Sequence, residues 1–298
     1  MRHFLLLLAC LIAAFFSFAQ RVSGNITGPD GKSIEYVNIG IPGTTTGMIS
    51  DGEGYFTLYI PEALSGRELV FSHVSYEPVT VPITDLLRQE VKGEGTSIRL
   101  SRRSVALQEV IVLSGKGRYK RIGAGHLSAL NRVTAVARPR IHAIDPGEMP
   151  GEFTDSLNDI QYNGEIISPL RVHQRILLRE ISFPVISTPH DSVLLRLNLY
   201  EREGDDFRPV HSRGIYTVIP ATRGKRYYHV DVSDQEIVLA SGKYYAGVEV
   251  VHYYGFKTSG GFVLPAHPGA GYMRTGIDLH KKIPIHPGIQ IYGRLLND

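Results

Sequence analysis

The chain has 298 residues, 32 Lys and Arg against 29 Asp and Glu, 16 Tyr, no Trp and one Cys. A single cysteine excludes a disulfide framework, so stability has to come from packed cores, and the length suggests two domains of ordinary size. Gly and Pro are frequent and long helical patterns are hard to find, which points to an all-β protein.

The first residues, MRHFLLLLACLIAAFFSFAQ, carry Arg2 and His3, an apolar run from Phe4 to Phe16, and the small residues Ser17 and Ala19. This is the pattern of a secretory signal peptide over residues 1–19, with Gln20 as the mature N-terminus. The run is shorter than the roughly 20 residues that span a bilayer. Leu7-Leu-Ala-Cys10 also resembles a lipoprotein lipobox. Lipidation at Cys10 is the alternative, with an h-region short against the usual length of about 7–15 residues.

From Arg21 to Ile83 short alternating runs are separated by turn signals, as in a β-sandwich. The expected strands are Val22–Thr27, Ile34–Ile41, Thr44–Ser50, Tyr55–Ile60, Glu68–His73 and Pro78–Ile83. In YFTLYI, Phe56, Leu58 and Ile60 share one face and Tyr55, Thr57 and Tyr59 the other. The preceding ISDGEG sets Asp51 and Glu53 among glycines. It is read as a hairpin turn in which Asp51 accepts backbone hydrogen bonds and Gly52 and Gly54 supply positive φ. A calcium loop would offer 6–8 oxygens, and this stretch offers few.

These residues carry a resemblance. Gly24, Asp30-Gly31, Gly43-Thr44, Asp51, Gly54, Phe56, Phe71-Ser72, Tyr76 and Leu107-x-Glu109-Val110-x-Val112 follow the pattern of the carboxypeptidase-like regulatory domain of exported Bacteroidetes proteins. Ser75 stands where that pattern usually has glycine. The resemblance covers residues 21–113 and implies a transthyretin-like seven-stranded sandwich over 20–113 without catalytic residues of its own. In that family the domain often precedes the plug of a TonB-dependent receptor. A receptor needs a plug and a barrel after it, so the expectation here is a relative of such a receptor's accessory domain.

Residues 20–113 carry 8 Lys and Arg against 11 Asp and Glu, residues 114–144 carry 7 against none, and residues 145–298 carry 16 against 18. The basic stretch, with Arg118, Lys120 and Arg121 in it, is read as a solvated linker over 114–150. Its functional reading is a patch for phosphate, lipopolysaccharide or an acidic partner. Export and the lack of any RNA- or DNA-binding motif argue against nucleic acid.

Residues 151–298 form a second β region. Strands are expected at Val172–Val185, Ser192–Tyr200, Gly214–Ile219, Arg226–Val232, Lys243–His252, Gly261–Leu264, Tyr272–Ile277 and Ile289–Leu295. Leu195, Leu197 and Leu199 alternate with Arg196, Asn198 and Tyr200, as in a half-buried antiparallel strand. Arg196-Leu-Asn-Leu-Tyr200, Val230-Asp-Val232 and Tyr244-Tyr-Ala-Gly-Val-Glu249 resemble a jelly-roll-like sandwich that follows the regulatory domain in exported Bacteroidetes proteins.

Enzyme constellations are missing from the sequence: no His-Glu-x-x-His, no Gly-x-Ser-x-Gly, no Walker loop, and no His-x-x-Glu of a zinc carboxypeptidase. His267 and His286 sit in echoing Pro/Gly motifs and are weak metal candidates, more readily two turns with exposed imidazoles. Asp205-Asp206 reads as a hairpin tip, since a glycosidase holds two carboxylates across a cleft. The pairs Tyr227-Tyr228, Tyr244-Tyr245 and Tyr253-Tyr254 offer a sugar-stacking platform, with Tyr228, Tyr245 and Tyr254 as the outward rings. No cofactor is implied, and the oligomeric state is not legible. The resulting expectation is an exported, non-enzymatic binding or scaffold protein of the periplasm or outer membrane. Its partner would be an envelope protein or a glycan. The alternatives are a carbohydrate-binding accessory protein and a hydrolase with a dispersed site.

Overall fold

A computed structural model describes residues 19–93, 95–103, 117–123, 164–255 and 262–296. The leader with Cys10, most of the basic stretch, and the Leu107–Val112 part of the family pattern lie outside the described residues. The chain is all-β, built of β-sandwiches.

The N-terminal sandwich has seven strands among the described residues: β1 (Ala19–Thr27), β2 (Asn38–Gly40), β3 (Gly47–Ile49), β4 (Tyr55–Pro61), β5 (Glu68–His73), β6 (Tyr76–Pro82) and β7 (Thr96–Arg99). One sheet runs β4-β1-β7 and the other β3-β2-β5-β6. The alternation of β4 buries Phe56, Leu58 and Ile60 against Ile39, Leu69 and Phe71 of the facing sheet. The Phe56 and Phe71 rings meet edge to face at 5.4 Å.

Helix α1 (Ile83–Lys92) was not expected, and the stretch read as a strand to Ile83 turns into it. Its signals are local: Ile83, Leu86, Leu87 and Glu90 recur at helical spacing, and Gly93 ends it in the left-handed conformation at φ 70°. Glu90 reaches back to β1, where Arg21 and Ser23 donate to its carboxylate at 3.0 Å.

The second sandwich is organised by β10 (Ile176–Glu203), whose length joins two stretches read as separate strands. Irregularities in pairing between Val185 and Ser192 bend it into two arms, as strands do when they pass from one sheet to another. The first arm pairs with β17 (Gln290–Leu295), which pairs with β8 (Tyr119–Gly123). The second arm pairs with β14 (Gly242–Tyr254), followed outward by β9 (Glu165–Val172), β15 (Ala266–Thr275) and β16 (Leu279–Pro287). Strand β12 (Ile215–Asp231) follows both arms of β10, while β11 (Asp206–Pro209) and β13 (Val238–Leu239) add short pairings.

Two layers result. Phe183, Val185 and Ile291 of the outer layer pack against Leu195, Leu197, Leu199 and Val248 of the inner layer in one core. Strands β9 and β16 escape a reading by alternation because Pro169 and Lys281-Lys282 interrupt them. Strand β8 is a further correction: part of the stretch read as a solvated linker is the edge strand of the outer layer.

Candidate functional site

The inner layer has a second face, and it is not solvated. Arg196, Asn198 and Tyr200 point away from the apolar core, yet all three are buried, Arg196 against Tyr36 and Asn38 and Tyr200 against Phe207. The half-buried strand expected here is buried on both sides.

Register explains what gathers there. Arg196 of β10 is the cross-strand partner of Glu249 on β14, Glu249 is that of Glu165 on β9, and Glu165 is that of Arg274 on β15. Side chains opposite each other across a sheet share a face. Four strands therefore place a row of charges, Arg-Glu-Glu-Arg, on one line. Both carboxylates are 0% exposed, and Arg196 and Arg274 are 2% and 6% exposed.

The row is closed by donors. Arg196 contributes Nε and Nη2 to Glu249 Oε2 at 2.9 and 2.8 Å. Arg274 spans both acids, with Nε 2.9 Å from Glu165 Oε2 and Nη2 2.9 Å from Glu249 Oε1. Asn198 Nδ2 donates to Glu165 Oε1 at 2.8 Å, and the Tyr200 hydroxyl donates to Glu165 at 2.9 Å. Gly247, beside them on β14, makes the room: a Cβ there would stand 1.9 Å from Glu165 Oε1.

Burial pushes the Glu249 carboxyl up, but the Arg196 and Arg274 guanidiniums more than reverse this and hold it below the usual range. Burial dominates at Glu165 and, despite Arg274, leaves its carboxyl raised, with the Glu249 charge adding to the rise. Tyr200 is driven well above the ordinary phenol value by burial and by Glu165, so it remains a donor.

One end of the row reaches into the N-terminal sandwich. Arg196 Nη1 donates to the Tyr36 carbonyl at 2.9 Å, and Nη2 donates to Asn38 Oδ1 at 2.5 Å. Tyr36 presents that carbonyl from a left-handed backbone, φ 54°, a conformation that costs a non-glycine residue on the order of 1–3 kcal/mol. The surroundings enforce it. Its N–H donates to the Asp51 carbonyl at 3.1 Å, and its ring lies 5.3 Å from Tyr216. Its hydroxyl is pushed up to about 12 by burial, with Tyr254 beside it. Ile49, Leu194 and Val251 seal the seam with an apolar cluster, and the Gly43 N–H donates to Asp278 Oδ1 at 3.0 Å.

Beside the row lies a cleft of ≈ 560 Å³ between the two sandwiches, walled by Asn38, Ser72 and His73 on one side and by Arg196, Phe207 and His280 on the other. Both imidazoles are neutral near pH 7. Burial and Arg196 lower His73 to about 3, and burial and Arg274 lower His280, stacked 4.6 Å from Phe207, to about 4. The cleft thus offers amide, guanidinium, carboxylate and neutral imidazole groups to a polar ligand. Glu165 accepts hydrogen bonds on both oxygens, while Glu249 accepts them on Oε2 and holds Oε1 beside Arg274 by charge alone, an arrangement suited to holding strands and domains in place.

The expected site residues fall apart. Tyr245 is 3% exposed, packed edge to face on Phe207 at 5.1 Å and Tyr272 at 5.7 Å. Tyr228 is half-buried against Phe183. Tyr254 alone of the three is exposed, at 40%. They lie on different faces and make no common platform, because β14 is covered on both sides where one open face was assumed.

His267 and His286 are cross-strand partners on β15 and β16 rather than loop residues. Their rings stack at 5.5 Å and 15°. Among the described residues no group of three or more His, Cys, Asp or Glu is placed to hold a metal ion.

Asp51 Oδ1 accepts from the N–H groups of Glu53 and Tyr55 at 2.9 and 2.8 Å, and Gly54 has φ 76°. Gly52 corrects the reading: it lies outside the positive-φ set and instead faces the Tyr36 hydroxyl, which a Cβ would approach to 3.3 Å. Asp205 and Asp206 form a hairpin tip, where Asp205 pairs with Arg202 at 2.6 Å. Arg118, Lys120 and Arg121 lie on or beside β8, and Arg121 Nη1 donates to Glu180 Oε1 at 2.9 Å.

The described geometry of residues 22–103 is that of a small seven-stranded sandwich, and residues 22–112 match the model of the CarboxypepD_reg-like domain. The N-terminal unit is a CarboxypepD_reg-like domain. The chain is also similar to the TonB-dependent receptor SusC of Bacteroides thetaiotaomicron, at 28% identity over 158 residues. That alignment covers 52% of this chain and 13% of the receptor, so the chain spans a small part of that relative's length. Two solved structures of infectious bursal disease virus, strains Gt and Gx, align with 93% of this chain and 60% and 61% of theirs. Their identities are 12% and 10% and both TM-scores are 0.27, a level that does not establish a common fold.

Two outcomes follow from this seam between the CarboxypepD_reg-like domain and the second sandwich. Arg196→Met leaves Glu249 buried with one partner fewer and should cost about 3–5 kcal/mol in urea unfolding, as broken buried pairs do. For pH, His73 and His211 have folded values of about 3 and about 4, both below the ordinary 6.5. The unfolded chain therefore binds protons that the folded chain refuses. Their contribution is complete above 6.5 and lost as pH falls toward 4. Glu165, being raised, runs the other way and loses its contribution as pH rises. Urea midpoints should fall between about 6.5 and about 4, with a shallower fall in His73→Gln.

Proposed function

We propose that the chain is an exported, non-enzymatic binding or scaffold protein that works beside a TonB-dependent receptor in the cell envelope, as a Bacteroidetes-type accessory module. The observation that carries this reading is the pairing of a CarboxypepD_reg-like domain with sequence similarity to a TonB-dependent receptor over 158 residues. That length exceeds the matched domain. The rigid seam supports it further: a module locked to its neighbour displays its loops in a fixed geometry, and loops on rigid scaffolds carry recognition.

Export is supported by the leader pattern of residues 1–19. A non-catalytic role is supported by the ion pairing of Glu165 and Glu249 with Arg274 and Arg196, which commits both carboxylates to cross-strand partners. The interdomain cleft is the place where a small polar ligand would meet both domains.

Affinity purification of the tagged full-length chain from its native envelope should recover a stoichiometric outer-membrane protein. Recovery of the chain alone from the soluble fraction would count against the reading.

A further inference from the structure

The outer layer of the second sandwich carries a charge imbalance that the sequence order hides. Its four strands come from four distant stretches. Within β8, the Ile176–Val185 arm of β10, the Thr222–Asp231 half of β12, and β17, there are seven cations: Lys120, Arg121, Arg179, Arg223, Lys225, Arg226 and Arg294. The same segments hold two acids, Glu180 and Asp231. The rest of residues 145–298 has the opposite balance, with 11 Lys and Arg against 16 Asp and Glu.

One face of this layer is filled by the apolar core, through Ile122, Ile181, Phe183, Val230 and Ile291. All seven cations are exposed or half-exposed; Arg121 and Lys225 share the opposite face with Tyr292 and Tyr227, whereas Lys120 and Arg226, the cross-strand partners of Gly293 and Val185, stand on the core side at the rim. Of the two acids, Glu180 already accepts from Arg121 at 2.9 Å and meets His229 Nδ1 at 2.8 Å, and Asp231 accepts from the Ser233 N–H at 2.8 Å. Both acids of the layer are thus engaged, two against seven cations.

Aromatic rings are set among these cations. Tyr119, 48% exposed, stacks on Tyr292 at 5.6 Å and 18°. The Arg121 guanidinium stands 5.2 Å from the Tyr292 ring, and Lys225 Nζ stands 5.4 Å from Tyr227. Tyrosine beside Arg and Lys is the composition of protein surfaces that sit at a lipid–water boundary, where the ring is half-apolar and the cation meets phosphate.

We propose that this outward sheet face docks on an anionic lipid bilayer. The cations are spread over four strands about 4.8 Å apart, and such a spread matches a fluid array of headgroups. Basic segments near such a surface gain attraction residue by residue, and the gain is screened by salt. The inference rests on the envelope location proposed above. Its test needs no receptor, so the two readings can fail separately.

The experiment is flotation of the full chain with vesicles of equal parts phosphatidylglycerol and phosphatidylcholine, compared with phosphatidylcholine alone. Binding to the anionic vesicles only, falling as ionic strength rises, is expected. The double variant Arg223→Glu, Lys225→Glu should bind at least about tenfold more weakly, from the per-residue attraction of basic side chains, with an unchanged unfolding midpoint. The salt series on the unaltered chain stands whether or not the variant folds. Equal binding to both vesicles, binding to neither, or capture by polyglutamate in preference to vesicles would overturn the proposal.

Discussion

Burying four charges in one row across a sheet dictates how the two sandwiches of this protein meet. Each ion taken from water costs several kcal/mol after relaxation, and only close partners with good geometry offset that cost. Arg196, Glu249, Glu165 and Arg274 satisfy the condition because strand register delivers them in the order Arg-Glu-Glu-Arg. Arg274 bridges the two acids that would otherwise repel, and Asn198 and Tyr200 supply the remaining donors. Each depends on the others. An apolar row could pack the same strands, but it would not fix one geometry so sharply.

The geometry extends beyond the second sandwich because Arg196 has donors left over. They go to a backbone carbonyl and an amide oxygen of the CarboxypepD_reg-like domain, and the carbonyl is presented by a residue in an unfavourable conformation. The Asp51–Gly54 turn belongs to the same construction, since its backbone holds Tyr36 in place. An acidic loop that resembles a metal site in isolation is thus part of the support for a domain seam. The cleft beside the seam, with imidazoles held neutral by burial and by the arginines, is a consequence of the same packing.

Much of the fold was legible in the residues. The alternation of Phe56, Leu58 and Ile60, and of Leu195, Leu197 and Leu199, shows which face meets a core, and the ordered turn residues of the first domain identify its family. The opposite faces were not legible. Period-two alternation gives the direction of a side chain but not what covers it, so Tyr245 reads as outward and is buried, and Arg196 reads as solvated and is the centre of the seam. Glu165 lies on a strand interrupted by Pro169, which removes the pattern that would have revealed it. One signal was present: a single Glu249 within the apolar run YYAGVEVV implies a buried counter-charge. The basic stretch likewise could not be placed, because part of it becomes a strand only by pairing β8 with the distant β17.

The central claim is that Arg196 joins the two sandwiches through Asn38 and does not merely neutralise Glu249. A double-mutant cycle with Asn38→Ala and Arg196→Met, read by urea unfolding of the full chain, tests it most directly. Residues in one hydrogen-bonded network couple by about 0.5–3 kcal/mol, and coupling in that range is the predicted result. Additivity within about 0.3–0.5 kcal/mol, the behaviour of independent sites, would contradict the account.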